Sequence, residues 1–316
     1  MTINDYLKDY LSKMLDFRKA AGYATFTYTV TLMPFIDFCC TNYRNAENLT
    51  SEMLDDWLAC KGYTVNTQAT FIACLRQYCR YINFLGIKAY VPDEDYTLKR
   101  IAYEPYIFTD FELQTLFYTI DGYGPTTNNK KYKPEIVTAP IFRMMYCCGM
   151  RPSEPLFLRC DDVNLDSGDI YIRETKKHKD RHIIMSRDML DLCRKYDELA
   201  GRRIWFFEYD KGSYDTHWMT SQFRHCWKKS GLKPHGSPRP YDLRHAFATR
   251  NLIQWIDKGL DVNCLLPYLS TYMGHSKLCS TYYYIHLLPD RIRDSSGVNW
   301  EQFSAIYEKE GGRIED

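Results

Sequence analysis

Apolar positions recur at intervals of three and four residues from the start of the chain. Tyr6, Leu7, Tyr10, Leu11, Met14 and Leu15 form one stripe. Phe71, Leu75, Tyr78, Ile82 and Leu85 form another that stops at Gly86, with Arg76 and Arg80 on its opposite side. Between them lie a segment over residues 25–40 and one that starts at Ser51, taken as an N-cap, and runs to about residue 61. The pattern therefore predicts four helices over residues 3–86. It breaks over residues 90–106, where Pro92, Pro105 and the run Asp93-Glu94-Asp95 leave no helical period and mark a linker. Beyond it, Thr109-Asp110-Phe111-Glu112 has the form of a capping box ahead of inward-facing Leu113, Leu116 and Phe117. Residues 134–149 read as another apolar helix. The period then shortens: Ile170, Ile172 and Ile183 fall in short runs on either side of Lys176-Lys177-His178-Lys179-Asp180, which predicts a hairpin with a basic turn. Helical periodicity returns from Arg187. The reading is mainly α with a small antiparallel sheet (α+β), in two domains, 1–100 and 101–316.

The length of 316 residues agrees with two domains, each with its own core. No run of about 18 apolar residues could span a bilayer, and residues 1–9 carry no signal-peptide pattern, so the expectation is a soluble, cytoplasmic protein without a membrane partner. The twelve cysteines include no Cys-x-x-Cys pair and fall mostly in apolar stretches, as reduced core residues of an intracellular protein would. The net charge of +1 is unevenly spread. Residues 171–250 hold eighteen Lys and Arg against ten Asp and Glu, and all eight histidines lie at or beyond His178. Such a basic, histidine-bearing segment fits a phosphate backbone or a solvated lysine face.

Three places concentrate polar chemistry. Arg151 follows the apolar helix at Cys147-Cys148-Gly149-Met150, where an unpaired charge is costly, so it needs either a structural partner such as Glu154 or a ligand anion for its planar fork. Tyr241-Asp242-Leu243-Arg244-His245 opens a helix after Pro238-Arg239-Pro240, and helix N-termini attract phosphate. Leu243, Phe247 and Ile253 would form the core stripe of the same helix. Gly274-His275-Ser276 precedes Tyr282-Tyr283-Tyr284, and helical phase alone cannot choose among three successive tyrosines.

These segments resemble the tyrosine site-specific recombinases, the phage integrase family. Gly149-Met150-Arg151-Pro152-Ser153-Glu154-Pro155-Leu156 is similar to the family's first-arginine box, which makes Arg151 the first catalytic arginine. The turn Thr175-Lys176-Lys177-His178-Lys179-Asp180-Arg181 resembles the hairpin that bears a catalytic lysine. Counting back from the following strand assigns Lys176, with Lys177 and Lys179 as alternatives. Asp242-Leu243-Arg244-His245-x-Phe247-Ala248-Thr249 is similar to the His-x-x-Arg region, so Arg244 matches the second arginine. Its first position is Tyr241 where histidine is usual. Gly274-His275-Ser276 resembles the Leu-Gly-His-Ser box and places a phosphate ligand at His275. The family's nucleophile follows nine residues later, at Tyr284, and Tyr284-Ile285-His286 resembles its Tyr-x-His ending.

The resemblance implies a four-helix SAM-like core-binding domain joined to a catalytic domain with a C-terminal exchange segment. It implies cleavage and rejoining of double-stranded DNA recombination sites through a 3′-phosphotyrosine, by a homo-tetramer on two sites, with room for an accessory DNA-bending or directionality factor. Two arginines and a histidine would neutralise the charge gathered on phosphorus, and the lysine would protonate the leaving 5′ oxygen. The covalent intermediate conserves the bond, so no ATP, metal or other cofactor is expected, in keeping with the lack of a Walker loop or dinucleotide turn. Trp300, Phe303 and Ile306 give the tail an apolar face at helical spacing, expected to dock on a neighbouring protomer. The rival readings are a member of this fold that binds DNA without cutting it, which the departure at Tyr241 would mark, and a type IB topoisomerase, which the small helical domain disfavours.

Overall fold

The computed structural model of the protein describes residues 2–93, 96, 99–101, 103–123, 133–173, 180–210, 212–233 and 235–288. Lys176, Lys177, Lys179 and the apolar tail at Trp300, Phe303 and Ile306 lie outside the described residues. The chain divides into two compact units, Met1–Glu104 and Pro105–Asp316. Among the described residues, no helix is long and apolar enough to cross a membrane.

The first unit holds four helices, α1 (Ile3–Ala20), α2 (Phe26–Asn42), α3 (Ser51–Lys61) and α4 (Val65–Phe84). Helix α1 starts where the Thr2 backbone N–H donates to Asp5 Oδ2 at 2.7 Å, and it buries Ile3, Tyr6, Leu7, Leu11 and Met14. Helix α4 buries Phe71, Leu75, Tyr78 and Ile82 against it, and the buried Tyr78 hydroxyl donates to the Leu7 carbonyl at 2.6 Å. Two local expectations are corrected. The cap of α3 is Thr50, whose extended backbone lets its hydroxyl accept from Met53 N–H, so Ser51 is the first helical residue. Leu85 is 42% exposed, because it is the C-cap of α4 and has left the helical stripe. Arg76 donates to the carbonyls of Pro92 and Asp93 at 2.8 and 2.6 Å, which gives this extended stretch the partners that a strand ladder would otherwise supply.

The second unit is mostly helical around small antiparallel pairings. Its elements are α5 (Asp110–Asp121), α6 (Pro134–Cys148), the short α7 (Ser153–Leu156), β1 (Asp169–Ile172), β2 (Arg181–Ile184), α8 (Arg187–Ala200), β3 (Glu208–Tyr209), β4 (Gly212–Ser213), α9 (Thr216–Lys229), α10 (Pro240–Asp257), α11 (Val262–Met273) and α12 (Cys279–His286). The capping box at Thr109 and Glu112 is closed in both directions. Strands β1 and β2 pair antiparallel, Ile170 opposite Ile183 and Ile172 opposite Arg181. Alternation on β2 turns Arg181 and Ile183 inward and His182 and Ile184 outward. Helix α6 packs against α5, α8 and α10 at the centre of the main core, while α10, α11 and α12 enclose a second core around Leu252, Leu266 and Ile285.

Helix α6 ends at Gly149 in the left-handed conformation, φ +61°, and a Cβ there would lie 2.5 Å from the Phe247 ring of α10. Only glycine meets both demands. The twelve cysteines are all free, but Cys60, Cys147 and Cys264 are exposed and so are not the core residues expected of them.

Candidate active site

The end of α6 sets the first arginine. The left-handed turn at Gly149 directs the chain into α7, which brings Glu154 back beneath Arg151. The Arg151 backbone N–H donates to Glu154 Oε2 at 2.7 Å, its Nη1 to Oε1 at 3.0 Å, and its Nη2 to the Gly274 carbonyl at 2.6 Å. A second arginine shares the carboxylate. Arg181 donates Nη1 and Nη2 to the two Glu154 oxygens at 2.8 Å each, and its Nε to the Tyr272 carbonyl at 2.8 Å. Burial alone would raise the Glu154 carboxyl, but the Arg181 hydrogen bonds and the charges of Arg181, Arg244 and Arg151 hold it below its ordinary value. Glu154 is thus ionised and spread over two guanidinium groups, which leaves net positive charge in the site. Gly274, at φ +68°, caps α11, and a Cβ there would sit 2.9 Å from Arg181 Nη1.

Arg244, in the second turn of α10, is fully buried. Its Nη1 donates to the Gly149 carbonyl and its Nη2 to the Met273 carbonyl at 2.8 Å, while Nε has no partner among the described residues. The last carbonyls of α6 and α11, left over by the helices themselves, therefore aim both motif arginines. His275 follows the Gly274 cap, and its Nδ1 lies 2.6 Å from Thr281 Oγ1. Its ring stacks at 20° on that of Tyr284, centroids 6.0 Å apart.

Tyr284 on α12 is the tyrosine that reaches this cluster. Its hydroxyl lies 3.2 Å from Nδ1 of the buried His245, and the His245 ring sits between Tyr284 and Tyr241, at centroid distances of 5.5 and 4.9 Å. Tyr282 is buried in the α10–α12 core, and Tyr283 sets its ring edge-on to Tyr284 at 6.3 Å.

The structure brings Arg151, Arg244, His275 and Tyr284 into one site, with Tyr241 one helical turn from His245. Two contributors escaped sequence reasoning. The sequence motif shows Arg181 only as the residue that closes the basic turn, although alternation with Ile183 marks it as inward. His245 carries no role in the motif, although it shares a helix face with Tyr241 four residues earlier.

Burial and the nearby arginines push His245 down to about 3 and His275 down to about 2. Both imidazoles are neutral in the folded chain at pH 7. Unfolding returns them to an ordinary value near 6.5, so below that pH the unfolded chain takes up protons that the folded chain refuses. Stability should be full above pH ~6.5 and fall by about 1.4 kcal/mol per pH unit for each histidine as acid is added. Urea midpoints at pH 7, 6 and 5 check this, with a shallower slope expected for His245→Asn.

The chain matches the phage integrase family over residues 113–291. It is 26% identical over 294 residues to a putative integrase/recombinase, y4rE, of Sinorhizobium fredii, covering 89% of this chain and 91% of that protein. Among solved structures it is similar to lambda integrase residues 75–356 bound to DNA, with TM-score 0.61, 15% identity and coverage of 96% of this chain and 99% of that one. It is also similar to XerH site-specific recombinase bound to palindromic difH substrate in a post-cleavage complex, with TM-score 0.59, 20% identity and coverage of 89% and 79%.

Proposed function

The chain belongs to the phage integrase family, and on that premise we propose that it is a site-specific DNA recombinase that cleaves and rejoins strands through a 3′-phosphotyrosine at Tyr284. The observation that carries this reading is the convergence of a phenol, two arginines and a neutral histidine, drawn from four separate motifs, on one site.

An unperturbed phenol has a pKa near 10, so only about one in a thousand is ionised at pH 7. Positive charge in the site favours the phenoxide. The Tyr284 phenol gives up its proton to solvent as its oxygen attacks phosphorus, the bond from phosphorus to the 5′ oxygen breaks, and that oxygen leaves with a proton from Lys176. Arg151 and Arg244 take the charge that develops on the non-bridging oxygens, and His275 contributes a neutral hydrogen bond. A 5′ hydroxyl from another strand reverses the sequence, and the phosphodiester energy is kept in the phosphotyrosine. Tyr241 completes the site at the position where the family usually has histidine, as a hydrogen-bond donor rather than a proton shuttle.

Residues 1–100 serve as the core-binding domain and residues 101–316 as the catalytic domain. The DNA-bound states of the lambda integrase and XerH structures support duplex recombination sites as the substrate. Four protomers on two sites would integrate, excise or transpose a mobile element without metal or ATP.

The test uses nicked duplexes taken from the DNA that flanks the gene, incubated with a chelator and no nucleotide. The expected result is a detergent-stable protein–DNA adduct whose digested peptide carries the nucleotide on Tyr284. No adduct on any flanking sequence would favour the DNA binder that does not cut, and attachment at another tyrosine would overturn the nucleophile assignment.

A further inference from the structure

Tyr284 is enclosed where it stands. It is 3% exposed, in the core cluster that also holds Ala248, Leu252 and Met273, and its hydroxyl faces the His245 imidazole inside the protein.

We propose that His245 is a positioning residue that holds the Tyr284 hydroxyl through Nδ1 and so restrains it as a nucleophile. The proposal rests on the reading of Tyr284 as the nucleophile. Three observations carry it. Nδ1 and the hydroxyl are 3.2 Å apart with both residues buried, so water cannot compete for the bond. His245 is itself fixed, since its ring is flanked by Tyr241 and Tyr284 and its backbone lies within α10 next to the anchored Arg244. The imidazole is neutral, so it can accept the phenol's hydrogen bond at Nδ1 with its own proton on Nε2.

The alternative role, general base, is disfavoured by magnitude. A group that titrates near 3 would take a proton from an ordinary phenol near 10 only against about seven powers of ten. The same neutrality that makes His245 a poor base makes it a suitable resting partner, because it draws the hydroxyl without ionising it.

His245→Leu removes the acceptor at similar size, and His245→Asn keeps an amide near the place of Nδ1. Nitration by tetranitromethane, read by peptide mass spectrometry with Tyr283 as internal reference, should be roughly two- to tenfold faster at Tyr284 in His245→Leu, the factor that one net hydrogen bond is worth. It should stay near wild type in His245→Asn. Adduct formation on the nicked duplex should rise by a similar factor in His245→Leu, with DNA affinity and unfolding midpoint measured alongside. Should His245→Leu fold poorly, the bond can be read in the otherwise intact protein: Tyr284→Phe should shift the ¹⁵N resonance of His245 Nδ1. An unchanged resonance, unchanged nitration in folded His245→Leu, or a fall in its adduct yield at normal DNA affinity would each overturn the proposal. Nitration and resonance need no DNA, so they test the hold even if adducts map away from Tyr284.

Discussion

Tyr284→Phe is expected to abolish covalent attachment to DNA, with adduct below detection on nicked duplexes that trap the wild-type protein. Tyr282→Phe and Tyr283→Phe should still form it. The three tyrosines are consecutive on α12, so they point about 100° apart and only one can be directed at the arginines. Tyr284 faces His245 and stacks on His275, and Tyr282 lies in the same α10–α12 core. The substitution removes one oxygen. It leaves His245 Nδ1 without its partner, which should cost about 1 kcal/mol of stability, and the ring keeps its apolar contacts. A folded, DNA-binding protein without any adduct is therefore the expected result, by gel shift, denaturation and denaturing electrophoresis on one preparation. Adduct that persists in Tyr284→Phe would transfer the nucleophile to a neighbour.

Arg244→Lys should lower the rate of adduct formation by about 10²–10³, the range found when one preorganised donor to a developing oxyanion is removed. Guanidinium and ammonium carry the same charge, but the fork of Arg244 reaches the Gly149 and Met273 carbonyls at once. Lysine offers a single rotatable point and cannot span the end of α6 and the end of α11 while also presenting a proton to phosphate. At least one of the two carbonyls would lose its partner, at about 1–3 kcal/mol, and a strongly hydrated ammonium would sit in a fully buried place. Single-turnover cleavage at saturating protein separates the two effects. A rate loss that persists at low temperature, where the variant is folded, would locate the defect in the chemistry. A rate restored on cooling would show that Arg244 serves stability alone.

Much of this site was legible in the sequence because its parts are local. The turn from Gly149 through Arg151 to Glu154, the helix start before Arg244, and the nine-residue spacing from His275 to Tyr284 each lie within one or two elements, where period and capping have short-range meaning. The helices of the first unit were readable for the same reason, since their stripes of Tyr, Leu, Phe and Ile are continuous. What escaped depends on contacts between distant segments. Arg181 meets Glu154 across 27 positions and His245 meets Tyr284 across 39, and no period in the sequence connects them. The shift of the α3 cap from Ser51 to Thr50 was a choice between two adjacent hydroxyls that only backbone geometry makes. Likewise, the exposure of Cys147 depends on which side of α6 is covered by its neighbours, not on the apolar stretch in which it lies.

The peptide oxygens that aim the two motif arginines also bear on how the protein tolerates change. Arg151 is oriented by the carbonyl of Gly274, and Arg244 by those of Gly149 and Met273. Every amino acid carries such a carbonyl, so no substitution at these three positions deletes an anchor outright. The vulnerability is instead conformational. It is concentrated at two α-carbons, Gly149 and Gly274, where a single added methyl group would meet Phe247 or Arg181 and turn the oxygen away.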